Sequence, residues 1–257
     1  SHGTHVAGTI GAVGGNGVGV AGVAWRTTII PVKFINGANG TTADAVRAVD
    51  YVTRLRTQLG LNVVATNNSW GGHMYSRALR DAIRRGGDAG IAFVAAAGND
   101  AVNSDATPTY PASYDCTTAY RSWDCVVAVA SISHEGVLST YSQYGRNSVD
   151  IAAPGEDIVS TVPGGGYEVK SGTSMAAPHV TGALALCSAT NPGVPIFGLR
   201  QYLIDTARPD PALAGKVASS GTVNAASMAA ACASSREDFA GAPESLFVTG
   251  TYTHSIR

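Results

Sequence analysis

Thr28-Ile29-Ile30-Pro31-Val32-Lys33-Phe34-Ile35 opens an alternation of two hydrophobic periods that decides the fold. This short apolar run, rich in β-branched residues, reads as a buried strand. Thr41 or Thr42 then caps a helix carrying Val46, Val49, Val52, Leu55 and Leu59 at spacings of three and four. Asn62 to Asn67 reads as a second strand, Ser76 to Arg85 as a helix with Leu79 and Ile83 inward, and Ile91 to Ala97 as a third strand. Strand–helix–strand repetition of this kind implies parallel strands with helices on both faces. The expected fold class is therefore α/β, a three-layer sandwich with a mainly parallel central sheet.

Outward from this core, Asp100 to Asp124 is loop-like, and Val126 to Ser133 reads as a strand followed by shorter strands to about Val169. Thr173 to Asn191, Phe197 to Thr206 and Asn224 to Ala233 read as helices. There is no internal repeat. After Ser235 the composition changes: Arg236 to Glu244 is charged with Gly and Pro, and Leu246 to Tyr252 turns strand-like. Residues 1–235 are read as one domain, and 236–257 as a linker or the start of a C-terminal extension.

The 257 residues are 45% hydrophobic and 14% charged, with 31 glycines and a net charge of -1. Such a chain can bury a sizeable core. It has no basic block to bind nucleic acid, and no apolar run reaches the roughly 18 residues that span a bilayer. Cys116, Cys125, Cys187 and Cys232 contain no C-x-x-C pair, which argues against a zinc or redox site. Four buried thiols would satisfy this pattern. A close pair and an even count favour disulfides and an oxidising, secreted setting. Cys116–Cys125 is the expected pair, with Cys187–Cys232 as a possible second.

Three segments carry chemistry. In Gly172-Thr173-Ser174-Met175-Ala176-Ala177-Pro178, a glycine turn presents Ser174 at the start of an apolar helix. The partial positive charge of a helix N-terminus favours a developing oxyanion there. Alone, Ser174 could equally be a plain N-cap. In His2-Gly3-Thr4-His5-Val6-Ala7-Gly8, His2 could exchange a proton with such a serine, or be an ordinary surface histidine. Two histidines three apart could also bind a metal, but no carboxylate or cysteine nearby completes a ligand set. In Ala95-Ala96-Ala97-Gly98-Asn99, the amide of Asn99 ends a strand where parallel sheets bind ligands. It could donate to an oxyanion, or be a turn residue.

Together the three segments resemble the subtilisin family of serine peptidases, in its bacterial-subtilisin, thermitase and proteinase K branch, from His2 to about Ala233. The resemblance implies a monomeric, secreted endopeptidase acting on protein or peptide substrates in extended conformation, with no cofactor for catalysis. It assigns Ser174 as nucleophile, His2 as general base and acid, and Asn99 as oxyanion donor. It makes Ser69, Trp70 and Gly71 a substrate-pairing strand, with Asn39, Gly40 and Thr41 as the opposite wall. Ala97, Gly98 and Thr109 complete the pocket. These walls contain no acid of the kind that kexin-type relatives use for basic residues, so a broad apolar or aromatic preference is expected.

Gly17-Val18-Gly19-Val20-Ala21-Gly22 matches the dinucleotide pattern G-x-G-x-x-G, but a helix precedes it and a strand follows, the reverse of that motif. It resembles instead the family's calcium loop, with Gly14, Asn16, Val18 and Val20 as structural Ca²⁺ ligands. The family's aspartate motif, Asp-Thr-Gly or Asp-Ser-Gly, is absent from the 257 residues. In the family it ends a central strand some thirty residues before the histidine. The chain is thus expected to lack the N-terminal part of its domain, to leave a sheet neighbour without a partner, and to be inactive alone. A non-catalytic peptide-binding relative is the competing reading. An acid peptidase of the sedolisin type is excluded, because that family has a carboxylate where His2 stands.

Overall fold

The computed structural model describes residues 1–37, 40–117 and 124–235, and the backbone of 247–251. Helix α1 (His2–Gly11) comes first. Strand β1 (Thr28–Val32), helix α2 (Thr42–Thr57), strand β2 (Val63–Asn68), helix α3 (Arg77–Asp88) and strand β3 (Ala92–Ala96) follow in the expected rhythm. Then come strands β4 (Val126–Ile132) and β5 (Ile151–Pro154), and the hairpin of β6 (Ile158–Val162) and β7 (Gly166–Lys170). Helices α4 (Thr173–Thr190) and α5 (Ile196–Asp205), short strands β8 (Arg208–Pro209) and β9 (Gly221–Thr222), helix α6 (Ala225–Ser234) and strand β10 (Phe247–Thr251) complete it.

The main sheet runs β1-β10-β2-β3-β4-β5-β9-β8, and every pairing is parallel except β8 with β9. Strands β2, β3 and β4 are buried along their whole length, β3 with apolar residues throughout and β2 with Thr66, Asn67 and Asn68 buried as well. Helices α2 and α3 pack on each other, while α1, α4 and α6 form a second helical layer against the sheet. Helix α4 is apolar nearly all round because the sheet, α1, α5 and α6 enclose it.

Three expectations are corrected. Strand β1 is not buried: Thr28 and Pro31 are exposed, as befits a sheet edge. Leu59 is not on α2: the helix ends at Thr57, its C-cap is Gln58, and Leu59 is 67% exposed beyond it. The sheet also has no gap. Strand β10 lies between β1 and β2, with Ile29 opposite Val248 and Val248 opposite Ala65. An unpaired strand edge is a template for any β-forming segment, and the sequence of 247–251 is one. Residues 236–246 lie outside the described residues.

Both disulfides form: Cys116–Cys125 and Cys187–Cys232, each with Cα atoms 5.5 Å apart. Beside the first, half-buried Asp124 accepts the N–H groups of Cys116 and Val126 at 2.9 and 3.1 Å. Burial pushes its carboxyl up to about 6. The second ties the last turn of α4 to α6 across 45 residues, against 9 for the first. In the chain-entropy account the longer loop stabilises by about 4 kcal/mol and the shorter by about 3 kcal/mol. Urea unfolding of Cys187→Ala/Cys232→Ala and Cys116→Ala/Cys125→Ala should show the larger loss in the first double variant. The reverse order would refute the entropic account.

Candidate active site

His2 is the first helical residue of α1, so its position depends on how α1 is anchored. The hydroxyls of Ser160 and Thr161 on β6 donate to the carbonyls of His5 and Thr4 at 2.7 and 2.8 Å. Nε2 of His5 lies 3.0 Å from the carbonyls of both Ile158 and Glu168. Since carbonyls only accept, His5 carries its proton on Nε2 and clamps the β6–β7 hairpin to α1. Burial, the largest influence, lowers its pKa and keeps it neutral. His5 is therefore a buried structural residue and no partner of His2 in a metal pair.

Asn99 follows β3, and Ser174 is the second residue of α4. Oδ1 of Asn99 accepts from the N–H of Thr173 at 2.9 Å and from its hydroxyl at 3.0 Å. A backbone N–H can only donate, so this fixes the amide orientation and turns Nδ2 away from Thr173. Thr173 also accepts the N–H of Gly98 at 3.2 Å. The hydroxyl of Ser174 lies 3.4 Å from the carbonyl of Ser69, which continues β2.

His2, Asn99 and Ser174 line one cleft of about 730 Å³ with Ser69, Trp70, Gly71, Gly98 and Thr109. It opens at the carboxyl ends of β2 and β3, where parallel sheets place their ligands. Trp70 lines it and also fills core: its ring packs edge-on against Phe34 at 5.2 Å, and its N–H donates to Asn68. Gly72 and Tyr110 exchange two backbone bonds of 2.7 Å, joining the walls on either side of Thr109.

Other expectations fare differently. Ala97 is buried behind the cleft, its N–H given to Val129. Asn39 lies outside the described residues. Gly40 and Thr41 are not part of the cleft lining among the described residues; Thr41 instead forms a capping box with Asp44 at the start of α2. Asp100 does line the cleft, with His73 Nε2 3.6 Å away, so the walls are not free of acid. Thr173 was missed as a support of Asn99; a threonine between the N-cap Gly172 and Ser174 was its only signal. In the glycine loop, Oδ1 of Asn16 accepts the N–H of Val18 at 3.0 Å. No carboxylate occurs between Gly11 and Lys33, so Gly14, Asn16, Val18 and Val20 offer only neutral oxygens. By themselves they do not fit Ca²⁺, whose sites usually include carboxylates.

A parallel α/β sandwich with serine, histidine and a fixed amide at its carboxyl edge defines a class of hydrolase-like folds. This chain belongs to the Subtilase family, whose profile matches residues 1–224. It is 37% identical over 208 residues to subtilisin DY of Bacillus licheniformis, covering 80% of this chain and 70% of that protein. It is 38% identical over 190 residues to Subtilisin-like protease 2 of Plasmodium falciparum, covering 72% of this chain but only 13% of that much longer protein. A solved structure of a protease from Pseudoalteromonas arctica superposes with a TM-score of 0.75 at 33% identity, covering 90% of this chain and 70% of that one.

Gly98 in the cleft wall has no room for a side chain. Its φ is +120°, and a Cβ there would lie 1.5 Å from Oε1 of Gln143, a buried side chain that donates to Thr109 at 2.8 Å. Gly98→Ala should therefore cost at least about 2 kcal/mol of stability and displace Asn99. A urea midpoint unchanged from wild type would refute this geometry.

Proposed function

We propose that the chain is the catalytic domain of a secreted, monomeric serine endopeptidase that hydrolyses peptide bonds through an acyl-enzyme on Ser174. The observation that carries this reading is that His2, Asn99 and Ser174, from three distant segments, line one cleft. His2 takes the proton of the Ser174 hydroxyl as it attacks the scissile carbonyl, then returns it to the leaving amine. The carbonyl oxygen, now negative, receives Nδ2 of Asn99 and the N–H of Ser174 at the positive end of α4. Water then repeats the sequence to free Ser174. An extended substrate pairs with the main chain of Ser69 to Gly71 as an added strand. Two disulfides support the secreted setting.

In this family an aspartate fixes the imidazole tautomer and stabilises the imidazolium. No Asp-Thr-Gly or Asp-Ser-Gly triplet occurs in the sequence. In subtilisin itself, loss of the aspartate alone lowers kcat by about 3 × 10⁴. Residues 1–257 by themselves are thus expected to turn over poorly. Any Ca²⁺ at the glycine loop would be structural and would need charged ligands from elsewhere. Chelation by EDTA should move the melting temperature of 1–257 by less than about 2 °C, since a weakly held ion stabilises little. A larger drop would show that the loop binds the ion unaided.

The main test uses a fluorophosphonate probe and a peptide library on the full-length protein, its Ser174→Ala variant and residues 1–257. Labelling at Ser174 and cleavage after apolar or aromatic residues are expected of the full-length protein only. Absence of labelling there would favour a peptide-binding relative. Strict cleavage after basic residues would assign the specificity to Asp100 in place of the apolar walls.

A further inference from the structure

Pro178 lies inside α4, four residues after Ser174. In an α-helix the carbonyl of Ser174 would receive the N–H of residue 178. Proline has none, and its ring crowds the carbonyl four residues back. This carbonyl therefore sits in the first turn of α4, next to the cleft, without its helical donor. An unsatisfied acceptor in such a place is costly, and its peptide group would be free to tilt.

The hydroxyl of Ser69 donates to the Ser174 carbonyl at 2.8 Å. Ser69 is itself held. Nδ2 of Asn67 lies 3.0 Å from the Ser69 hydroxyl oxygen, and the Thr181 hydroxyl lies 2.9 Å from Oδ1 of Asn67. All three side chains are buried. The Ser174 carbonyl fixes the polarity of this chain. The Ser174 carbonyl can only accept, so Ser69 spends its single proton there and must accept from Asn67. That puts the amide nitrogen of Asn67 toward Ser69 and its oxygen toward Thr181, whose proton is shared between Asn67 at 2.9 Å and the carbonyl of Ala177 at 3.2 Å. The chain starts on α4 at Thr181, crosses the end of β2, and returns to α4 at Ser174.

We infer that Ser69 is a positioning residue for Ser174: its hydroxyl, oriented by Asn67 and Thr181, supplies the hydrogen bond that Pro178 denies to the first turn of α4. The inference rests on the reading of Ser174 as nucleophile. The peptide unit that Ser69 holds carries the carbonyl of Ser174 and is bonded directly to its Cα, so it sets the direction of the side chain. On the other side of the same contact, the carbonyl of Ser69 meets the Ser174 hydroxyl at 3.4 Å. Main chain and side chain of Ser69 thus grip the two ends of one residue. Such a device acts on the geometry of attack and leaves substrate affinity nearly untouched.

The test is a double-mutant cycle in the full-length protein, reading kcat and KM on a chromogenic peptide. Ser69→Ala should lower kcat about tenfold with KM changed less than about twofold, the size expected from one lost buried hydrogen bond. Pro178→Ala restores an N–H to the helix. In the Ser69→Ala background it should recover most of the lost kcat, although it lies on another element and adds no contact to substrate. Thr181→Val, nearly isosteric, releases Asn67 without opening a cavity and should lower kcat by about threefold even if Ser69→Ala folds poorly. An unchanged kcat in Ser69→Ala or Thr181→Val overturns the inference. So does a Ser69→Ala/Pro178→Ala double variant no faster than Ser69→Ala. Failure of the underlying reading looks different: the wild type would then hydrolyse no faster than Ser174→Ala.

Discussion

The contact of Thr173 with Asn99 joins the end of strand β3 to the beginning of helix α4, and the candidate site depends on it. Two donors of one threonine occupy one amide oxygen. Three things follow from this single contact. The nitrogen of Asn99 is turned the other way, the first N–H of α4 is satisfied where a helix normally leaves it bare, and Gly98 is drawn in through its own N–H. A helix N-terminus is an anion site only while its remaining N–H groups stay uncommitted. Here the first N–H of α4 is capped by a side chain from the loop after β3, in place of a local serine or aspartate.

The second anchor acts on α1 from the opposite side. Hydroxyls on β6 and the ring of His5 bind α1 to the hairpin through its backbone. Close approach is needed for this. A Cβ on Gly8 would fall 2.3 Å from Oγ1 of Thr161, so glycine there lets helix and strand touch. The hairpin runs on through Lys170 to Ser171 and Gly172, which both line the cleft. Movement of α1 would thus be felt at both His2 and the start of α4, and the two anchors are mechanically one.

Much of this was legible in the sequence, and the reasons are local. Strands β3 and β4 announce themselves as almost wholly apolar runs because both faces are covered, and Thr41 signals the start of α2 as its N-cap. The three site segments were recognisable as a set. Long-range polar contacts were not. Nothing local says that Thr173 reaches 74 residues back to Asn99, or that Ser69 reaches 105 residues forward to Ser174. Leu59 was misplaced for the opposite reason: it keeps the helical spacing past the point where Gln58 has already capped α2. Asp100 lines the cleft although it lies in none of the wall segments, because a residue just past a strand end is aimed by its loop, and that loop is fixed by distant bonds such as Ala101 to Tyr141.

Strand β10 separates two demands, one of the sheet and one of an imidazole. A parallel ladder asks only for backbone N–H and C=O groups in an extended run, and Phe-Val-Thr-Gly-Thr supplies these between β1 and β2. Orientation of an imidazole asks for a carboxylate at the carboxyl end of such a strand, and 247–251 contains none. Sheet completion is generic chemistry, satisfied by many sequences, whereas the aspartate is specific. The fold can therefore close over a segment that contributes nothing to proton transfer. Completing the sheet and supplying a carboxylate are therefore separate requirements, and 247–251 meets the first alone.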